Sequence, residues 1–118
     1  MEFESINRAA VVLGMKKPFV DWINSGQKGK PYFDPNTQKN DNKSIYLVPD
    51  DIEEDEIEDY IESQYEAIFA EQLSIWYEDE KLWPKNRTFS MFKEWFDYGT
   101  HSLVLDTCEH TIEHNAVE

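Results

Sequence analysis

The apolar positions of the chain form short continuous runs and longer stripes with helical spacing. The run from Ala9 to Leu13 contains β-branched residues and ends at Gly14, which is typical of a central strand buried on both faces. A second run, from Ser44 to Val48, is followed by Pro49, which cannot continue a strand ladder. The alternating residues from His101 to Asp106 predict a third strand.

Three other segments carry apolar residues at spacings of three and four, which predicts helices. The first has Pro18 in its opening turn and Gly26 at its end, as helix termini favour. The second extends from about Glu53 to about Tyr77, after Asp50 or Asp51 as a cap. Its apolar stripe consists of Ile57, Ile61, Tyr65, Ile68, Phe69, Leu73 and Trp76. The third helix is predicted from Phe89 to Tyr98, ending at Gly99.

The resulting order is β-α-β-α-α-β, which predicts an α+β fold with a small three-stranded sheet and helices packed mainly on one face. We expect the first two strands to be parallel, joined by a right-handed crossover. A length of 118 residues with 40% apolar residues supports a single domain over 1–118. Residues 27–43 are polar and predict a mobile loop, and residues 107–118 predict a loose tail.

The charge of the chain is concentrated in one segment. Residues 44–80 contain 14 Asp and Glu and neither Lys nor Arg, while the rest of the chain has 11 acids and 11 bases. The net charge of −14 therefore belongs to the second helix and its flanks. Such a field attracts a basic protein and repels nucleic acid and anionic membranes, so no direct nucleic-acid or membrane binding is expected.

The sequence also predicts a cytoplasmic location. The N-terminus carries two acids and lacks the basic region of a signal peptide. The longest apolar run, Ala9 to Leu13, is too short to cross a bilayer. A single cysteine, Cys108, excludes an internal disulfide.

Several short motifs occur together in this chain, each of them once. They are KKPFVDWIN (16–24), YLVP (46–49), Trp76-Tyr77 with Asp79, Leu82-Trp83-Pro84 with Arg87, Phe92 with Trp95-Phe96, and His101-Ser102 with Val104 and Asp106. In this combination the chain resembles a family of small acidic bacterial proteins that has no established activity. The resemblance implies family membership and assigns no reaction. Cys108, His110 and His114 lie outside the resembling pattern.

The turn between the second and third helices is one candidate binding region. Tyr77, Trp83 and Arg87 are residue types that dominate interaction hot spots. We expect Trp83 to be exposed, and Arg87 to stack on a Trp or to pair with an acid such as Asp79. Trp76 and Trp95 lie on or beside apolar stripes and are expected in the core.

The acids at the start of the second helix are the other candidate. Glu54, Asp55, Glu58 and Asp59 are neighbours at helical spacing and would attract a basic partner. No His accompanies them, so a solvated acidic face is favoured over a catalytic or metal site.

The remaining chemistry-bearing residues give weaker signals. His101 and Asp106 would lie on opposite faces of the predicted strand, which favours a structural histidine over a general base. Cys108, His110 and His114 could supply three zinc ligands, but a structural site normally needs a fourth. No nucleotide-binding, serine-hydrolase or zinc-protease motif is present. We therefore predict no cofactor, no metal and no catalytic residue.

The leading hypothesis is a non-enzymatic protein-interaction domain whose acidic helix steers a basic partner. The alternative is a small enzyme or small-molecule-binding protein with a pocket near Arg87 and His101. A third hypothesis is mimicry of nucleic acid by the acidic face. Pairing of two acidic faces would be repulsive, so any dimer is expected to use a sheet edge or the turn at Trp83.

Overall fold

A computed structural model describes residues 3–25, 33–34 and 43–116. Its elements are β1 (Glu4–Ser5), β2 (Arg8–Met15), α1 (Lys17–Ser25), β3 (Lys43–Pro49), α2 (Ile57–Trp76), α3 (Phe89–Trp95), β4 (Phe96–His101) and β5 (Leu105–Asp106). Short 3-10 turns at Glu54–Glu56 and Glu80–Leu82 precede and follow α2. The predicted α+β class is confirmed, and the order of the main elements matches the prediction.

The main sheet has the strand order β3-β2-β4, and β2 is central as predicted. Both pairings are antiparallel, with Val11 opposite Tyr46 on one side and Thr100 on the other. The prediction that the first two strands are parallel is therefore wrong. The connection from β2 to β3 contains a helix and a long polar segment, which is enough chain to return in either direction.

One face of the sheet carries the core. Val11 and Leu13 of β2 point toward the helices and are almost completely buried. Phe19 of α1, Phe69 of α2 and Phe96 of β4 pack in this layer, with ring centroids 4.7 Å apart for Phe19–Phe96 and 5.4 Å for Phe69–Phe96. The helices thus cover one face of the sheet, as predicted.

The opposite face of the sheet is open, which corrects the prediction that β2 is buried on both sides. Val12 is only half-buried, although Ala10 is shielded between its cross-strand neighbours. Ile45 and Leu47 of β3 are exposed on this face. An antiparallel sheet commonly has one packed and one solvated face, whereas the continuous apolar run suggested burial of both.

The third helix and third strand are shifted from their predicted positions. The helix ends at Trp95, and the strand occupies Phe96–His101 rather than His101–Asp106. The spacing of Phe89, Phe92 and Phe96 fits a continuing helix, but residues 96–101 also alternate in the manner of a strand. Because Phe96 pairs with Met15 in the sheet, the chain leaves the helix at this residue and continues as a strand.

The α2 helix follows the predicted apolar stripe throughout its length. The stripe residues are buried or half-buried, and Ile61, Phe69 and Leu73 are the most enclosed. The capping prediction for Asp50 or Asp51 is wrong: Glu53 is the N-cap of the 3-10 turn before α2, and its N–H donates a hydrogen bond to the Glu56 carboxylate at 3.2 Å. No helix in the described part of the chain is both long and apolar enough to cross a membrane.

β1 and β5 pair in a second, two-stranded antiparallel sheet, which the sequence did not predict. The predicted loop over 27–43 lies outside the described residues except for 33–34 and Lys43, which begins β3. Phe33 is buried, and its backbone N–H and carbonyl both bond the Asn24 side chain, at 2.8 and 3.0 Å. Residues 107–116 of the predicted tail are exposed and form neither helix nor strand.

Candidate protein interface

The exposed carboxylates of residues 50–66 form a continuous strip along the solvent side of α2 and the turn before it. We call this strip the acidic surface. Its members are Asp50, Asp51, Glu53, Glu54, Asp55, Glu56, Glu58, Asp59, Glu62 and Glu66. All of them are exposed: six lie before α2, and the four on α2 lie on the side of the helix opposite buried positions such as Ile61.

Little of this negative charge is neutralised within the described residues. One ion pair reaches the acidic surface, from the Lys93 Nζ on α3 to the Glu58 Oε1 at 3.1 Å. Both side chains are about half exposed, so the pair contributes about 0.2–1 kcal/mol at most. The field of the acidic surface is therefore directed mainly to solvent.

The four predicted steering residues lie together at the N-terminal end of the acidic surface. Glu54 and Asp55 are in the 3-10 turn, and Glu58 and Asp59 are in the first turn of α2. Carboxylates at this end interact favourably with the helix dipole. The positive end of the helix thus stabilises a charge cluster that would otherwise repel itself.

The second predicted region is the aromatic turn, which we define as residues 77–88 between α2 and α3. The Trp83 Nε1 donates a hydrogen bond to the Tyr77 carbonyl at 2.7 Å. The Arg87 guanidinium lies 5.7 Å from the centroid of the Trp83 ring and donates to the Pro84 carbonyl at 2.8 Å. The predicted stacking of Arg87 on a Trp is confirmed, whereas Asp79 instead accepts a hydrogen bond from the Lys81 N–H.

The aromatic turn is held onto α1. The Tyr77 hydroxyl donates to the Ile23 carbonyl, and Tyr77 is buried with its ring against Trp22 at 5.1 Å. The Trp22 Nε1 in turn donates to the Leu82 carbonyl at 3.0 Å. Tyr77 is therefore a packing residue rather than part of the surface.

Trp83 is half-buried, so the expectation that it is exposed is wrong. Its indole N–H donates to the Tyr77 carbonyl within the aromatic turn, and Arg87 covers part of its ring. Trp76 and Trp95 pack against the core, as predicted. Sequence reasoning did not identify Trp22 as an anchor of this turn, although it lies on the apolar stripe of α1.

The acidic surface and the aromatic turn adjoin at Tyr65. The Tyr65 hydroxyl lies 3.5 Å from the Arg87 carbonyl and 3.4 Å from the Glu66 Oε1. Burial and the nearby Glu66 carboxylate raise the pKa of Tyr65, while the Arg87 guanidinium acts in the opposite direction. Arg87 thus lies at the border of the negative field.

His101 lies at the end of β4 and is exposed. It lines a cavity of about 220 Å³ between the sheet end and the start of α2, together with Ile52, Glu54 and Ile57. A second cavity beside it, of about 300 Å³, is lined by Lys43 and residues 97–99. Arg87 lines neither, so the predicted pocket shared by Arg87 and His101 is not formed in these cavities.

The C-terminal candidates do not converge. Cys108, His110 and His114 are exposed, and the Cys108 N–H donates to the Asp106 Oδ1 at 2.8 Å. His101 ends β4 and Asp106 belongs to β5, so the two do not share one strand as predicted. Within 3–25, 33–34 and 43–116 no group of three His, Cys, Asp or Glu residues is placed to hold a metal ion.

Comparisons of the chain with models of protein families, with curated proteins and with solved structures gave no match. The resemblance to a family of small acidic bacterial proteins therefore stays a prediction.

Proposed function

We propose that this chain is a non-enzymatic cytoplasmic domain that binds a basic protein through its acidic surface. The observation that carries the proposal is the acidic surface itself: ten exposed carboxylates lie within residues 50–66. A single ion pair, Lys93–Glu58, reaches them from elsewhere in the described chain. A stable fold does not require such a one-sided charge, because Lys placed four residues from Glu would stabilise α2.

The electrostatic role of this surface is to speed encounter with the partner. A dense field of one sign raises the local concentration of an oppositely charged molecule and increases its association rate. The effect weakens with salt, because the Debye length is only about 8 Å at physiological ionic strength. We expect the association rate, more than the dissociation rate, to depend on the acidic surface.

The aromatic turn would supply specificity beside this field. The Trp83 ring and the Arg87 guanidinium are partly exposed, stacked on each other and fixed by hydrogen bonds to backbone carbonyls. Fixed aromatic and Arg side chains bind with little loss of conformational entropy. Because Tyr65 joins this turn to the acidic surface, one partner can contact both.

The test compares two variants that have the same net charge. The first replaces Glu54, Asp55, Asp59 and Glu62 by Lys and leaves the Glu58–Lys93 pair intact. The control replaces the exposed acids Glu4, Glu94, Glu109 and Glu113, which lie outside both the acidic surface and the aromatic turn, by Lys. Proteins captured from a bacterial lysate are identified, and their association rates with each purified variant are measured at several salt concentrations.

We expect basic proteins to be captured by the wild type and by the control variant. The first variant should lose them, with an association rate at least about tenfold lower at low salt. Equal capture and equal rates for the two variants would show that net charge alone matters and would contradict the proposal.

A further inference from the structure

The side of the main sheet that faces away from the helices has an ordered arrangement of residues. We call it the open face. Strand alternation and the cross-strand register place on it Arg8, Ala10, Val12 and Gly14 of β2, Lys43, Ile45 and Leu47 of β3, and Asp97, Gly99 and His101 of β4. In the three rows centred on Ala10, Val12 and Gly14, a β3 residue and a β4 residue flank one residue of β2.

The open face has strongly exposed apolar residues on its edge strand β3. Ile45 is 65% and Leu47 is 51% exposed, although both are large aliphatic residues in a regular strand. Their β2 neighbours in the same rows are the small residues Val12 and Ala10. Two large aliphatic side chains exposed side by side on one strand form a small apolar patch that another molecule can cover.

The charges of the open face differ from those of the rest of the protein. Lys43 lies on β3 and Asp97 on β4, on either side of Gly14 in the same row. Neither takes part in an ion pair among the described residues. With Arg8, the face carries two cations and one anion in a protein whose net charge is −14. A strongly basic partner would therefore prefer the acidic surface over this face.

We propose that the open face binds the open face of a second copy of this chain. The two sheets would be related by a two-fold axis that runs parallel to β2, as a symmetric dimer requires. This axis places β3 of one protomer over β4 of its partner, and the reverse. Each row then meets its own counterpart, so Lys43 faces the partner's Asp97 in two symmetric ion pairs.

The shapes of the two strands are complementary in this arrangement. Ile45 protrudes from β3, and the residue in the same row on β4 is Gly99. No atom lies within 4 Å of the position that a Cβ on Gly99 would occupy, so the partner's Ile45 has open space there. In the next row Leu47 meets the partner's His101, and the small Ala10 and Val12 lie near the axis, which permits sheets to pack about 10 Å apart.

The acidic surface does not oppose this dimer. It lies on the solvent side of the helix layer, beyond the face of the sheet that carries Val11 and Leu13. Two helix layers and the gap between the sheets separate the acidic surfaces of the protomers by roughly 30 Å. That distance is several Debye lengths at physiological salt, so their mutual repulsion is weak.

The size of the open face sets the expected affinity. Three strands about 4.8 Å apart and about seven residues long cover roughly 14 by 24 Å. This area is small for a stable dimer, whose partners each bury about 800 Å² of accessible surface. We therefore expect a dissociation constant in the micromolar range, with a monomer at about 1 μM and a dimer at several hundred μM.

The first test measures mass by sedimentation velocity across that concentration range, in the presence of a reductant because Cys108 is free and exposed. The wild type should shift from monomer to dimer. Ile45→Glu should weaken the dimer by about 100-fold or more, because each dimer contains the site twice. The control Ile75→Glu changes an apolar residue on α2 that is 56% exposed, and it should behave as the wild type.

A monomeric wild type at every concentration would overturn the proposal. So would equal weakening by Ile45→Glu and Ile75→Glu, since the effect would then come from charge or fold rather than from the open face. Circular dichroism of each variant shows whether it is folded. If Ile45→Glu does not fold, exchange of the charges at Lys43 and Asp97 tests the same dimer.

The second test uses the predicted pairing across the axis. Lys43→Asp alone and Asp97→Lys alone should each weaken self-association by about tenfold or more, because like charges then meet twice. An equimolar mixture of the two variants should associate as the wild type does, since both contacts are again between a Lys and an Asp. Pairing through the edge of β3 would not bring these residues together, so a mixture no better than the single variants overturns this geometry.

The dimer is independent of the proposed function. It leaves the acidic surface and the aromatic turn of both protomers accessible. Failure of the sedimentation tests would leave the lysate capture unaffected, and failure of the capture would leave the dimer unaffected.

Discussion

The indole of Trp83 donates a hydrogen bond to the carbonyl of Tyr77 at 2.7 Å, which closes the aromatic turn on itself. Tyr77 is also buried against Trp22, so the same turn is anchored to α1. The candidate specificity residues are thus held by contacts that also stabilise the fold, and the two roles have to be separated by experiment.

Replacement of Trp83 should separate the packing of its ring from its hydrogen bond. Trp83→Ala removes both and should lower the free energy of unfolding by about 2–3 kcal/mol, whereas Trp83→Phe keeps a ring and should cost about 1 kcal/mol. The measurement is urea unfolding followed by circular dichroism. Lys85, an exposed residue of the same turn, changed to Ala, is the control and should stay within about 0.5 kcal/mol of the wild type. An unaltered stability for Trp83→Ala would show that the turn is not anchored by this residue.

The sequence predicted those parts of the fold in which the buried residues follow one spacing only, either that of a helix or that of a strand. The stripe from Ile57 to Trp76 matches one face of α2, because the other face must solvate its acids. The same argument predicted the acidic surface correctly as exposed charge. At residues 89–96 two periods overlap, since Phe89, Phe92 and Phe96 fit a helix while residues 96–101 alternate, and the boundary was misplaced.

Long-range contacts decided what the sequence could not predict. Trp22 bonds a carbonyl 60 residues away at Leu82, and no local pattern relates the two. The direction of β3 depends on how the chain returns from α1, which composition does not specify. The half-burial of Trp83 likewise follows from its position over Tyr77 and beneath Arg87, rather than from its place before a proline.

Thr88 should stabilise α3 as its N-cap. Its Oγ1 accepts a hydrogen bond from the Met91 N–H at 3.1 Å, which satisfies one of the free donors of the first turn. Thr88→Ala should lower the free energy of unfolding by about 1 kcal/mol, and Thr88→Ser should retain most of it. Ser90→Ala, an exposed change within α3, is the control and should be neutral or slightly stabilising. A loss for Ser90→Ala as large as that for Thr88→Ala would exclude a capping role.

Tyr46 should make the protein sensitive to alkaline pH. Burial, and then its hydrogen bond to the Glu71 carboxylate, raise the pKa of Tyr46 above its ordinary value. The folded state therefore favours the protonated phenol, and this stability is complete below the unfolded pKa of about 10 and is lost as pH rises toward the folded value. The Gln72 amide, itself buried, also donates to the Tyr46 hydroxyl at 2.9 Å.

The expected result is a difference between wild type and Tyr46→Phe that depends on pH. At about pH 8 the variant should be about 1–2 kcal/mol less stable, because it leaves the Gln72 amide one acceptor fewer. Above about pH 10 this deficit should shrink, since only the wild type has this phenol to ionise. Urea unfolding of both proteins at a series of pH values provides the measurement. A deficit that is constant up to about pH 11 would contradict the raised pKa.

Gly14 and Gly99 should respond differently to the addition of a methyl group. A Cβ on Gly14 would overlap the Asp97 Oδ1, whereas a Cβ on Gly99 would meet no atom within 4 Å. Gly14→Ala should therefore be about 1 kcal/mol less favourable than Gly99→Ala, because Asp97 must leave its place while both changes reduce the freedom of the unfolded chain. Gly99→Ala should be neutral or stabilise the protein by up to about 1 kcal/mol.

The cause of the Gly14 effect can be tested by a double-mutant cycle with Asp97→Ala, measured at low protein concentration so that only the monomer is present. Removal of the carboxylate should make Gly14→Ala nearly harmless, which corresponds to a coupling of about 1 kcal/mol between the two positions. Equal costs for Gly14→Ala with and without Asp97 would mean that the strand backbone, rather than the Asp97 side chain, requires glycine. In that case the close approach of Asp97 to β2 would not explain why the residue between Lys43 and Asp97 is glycine.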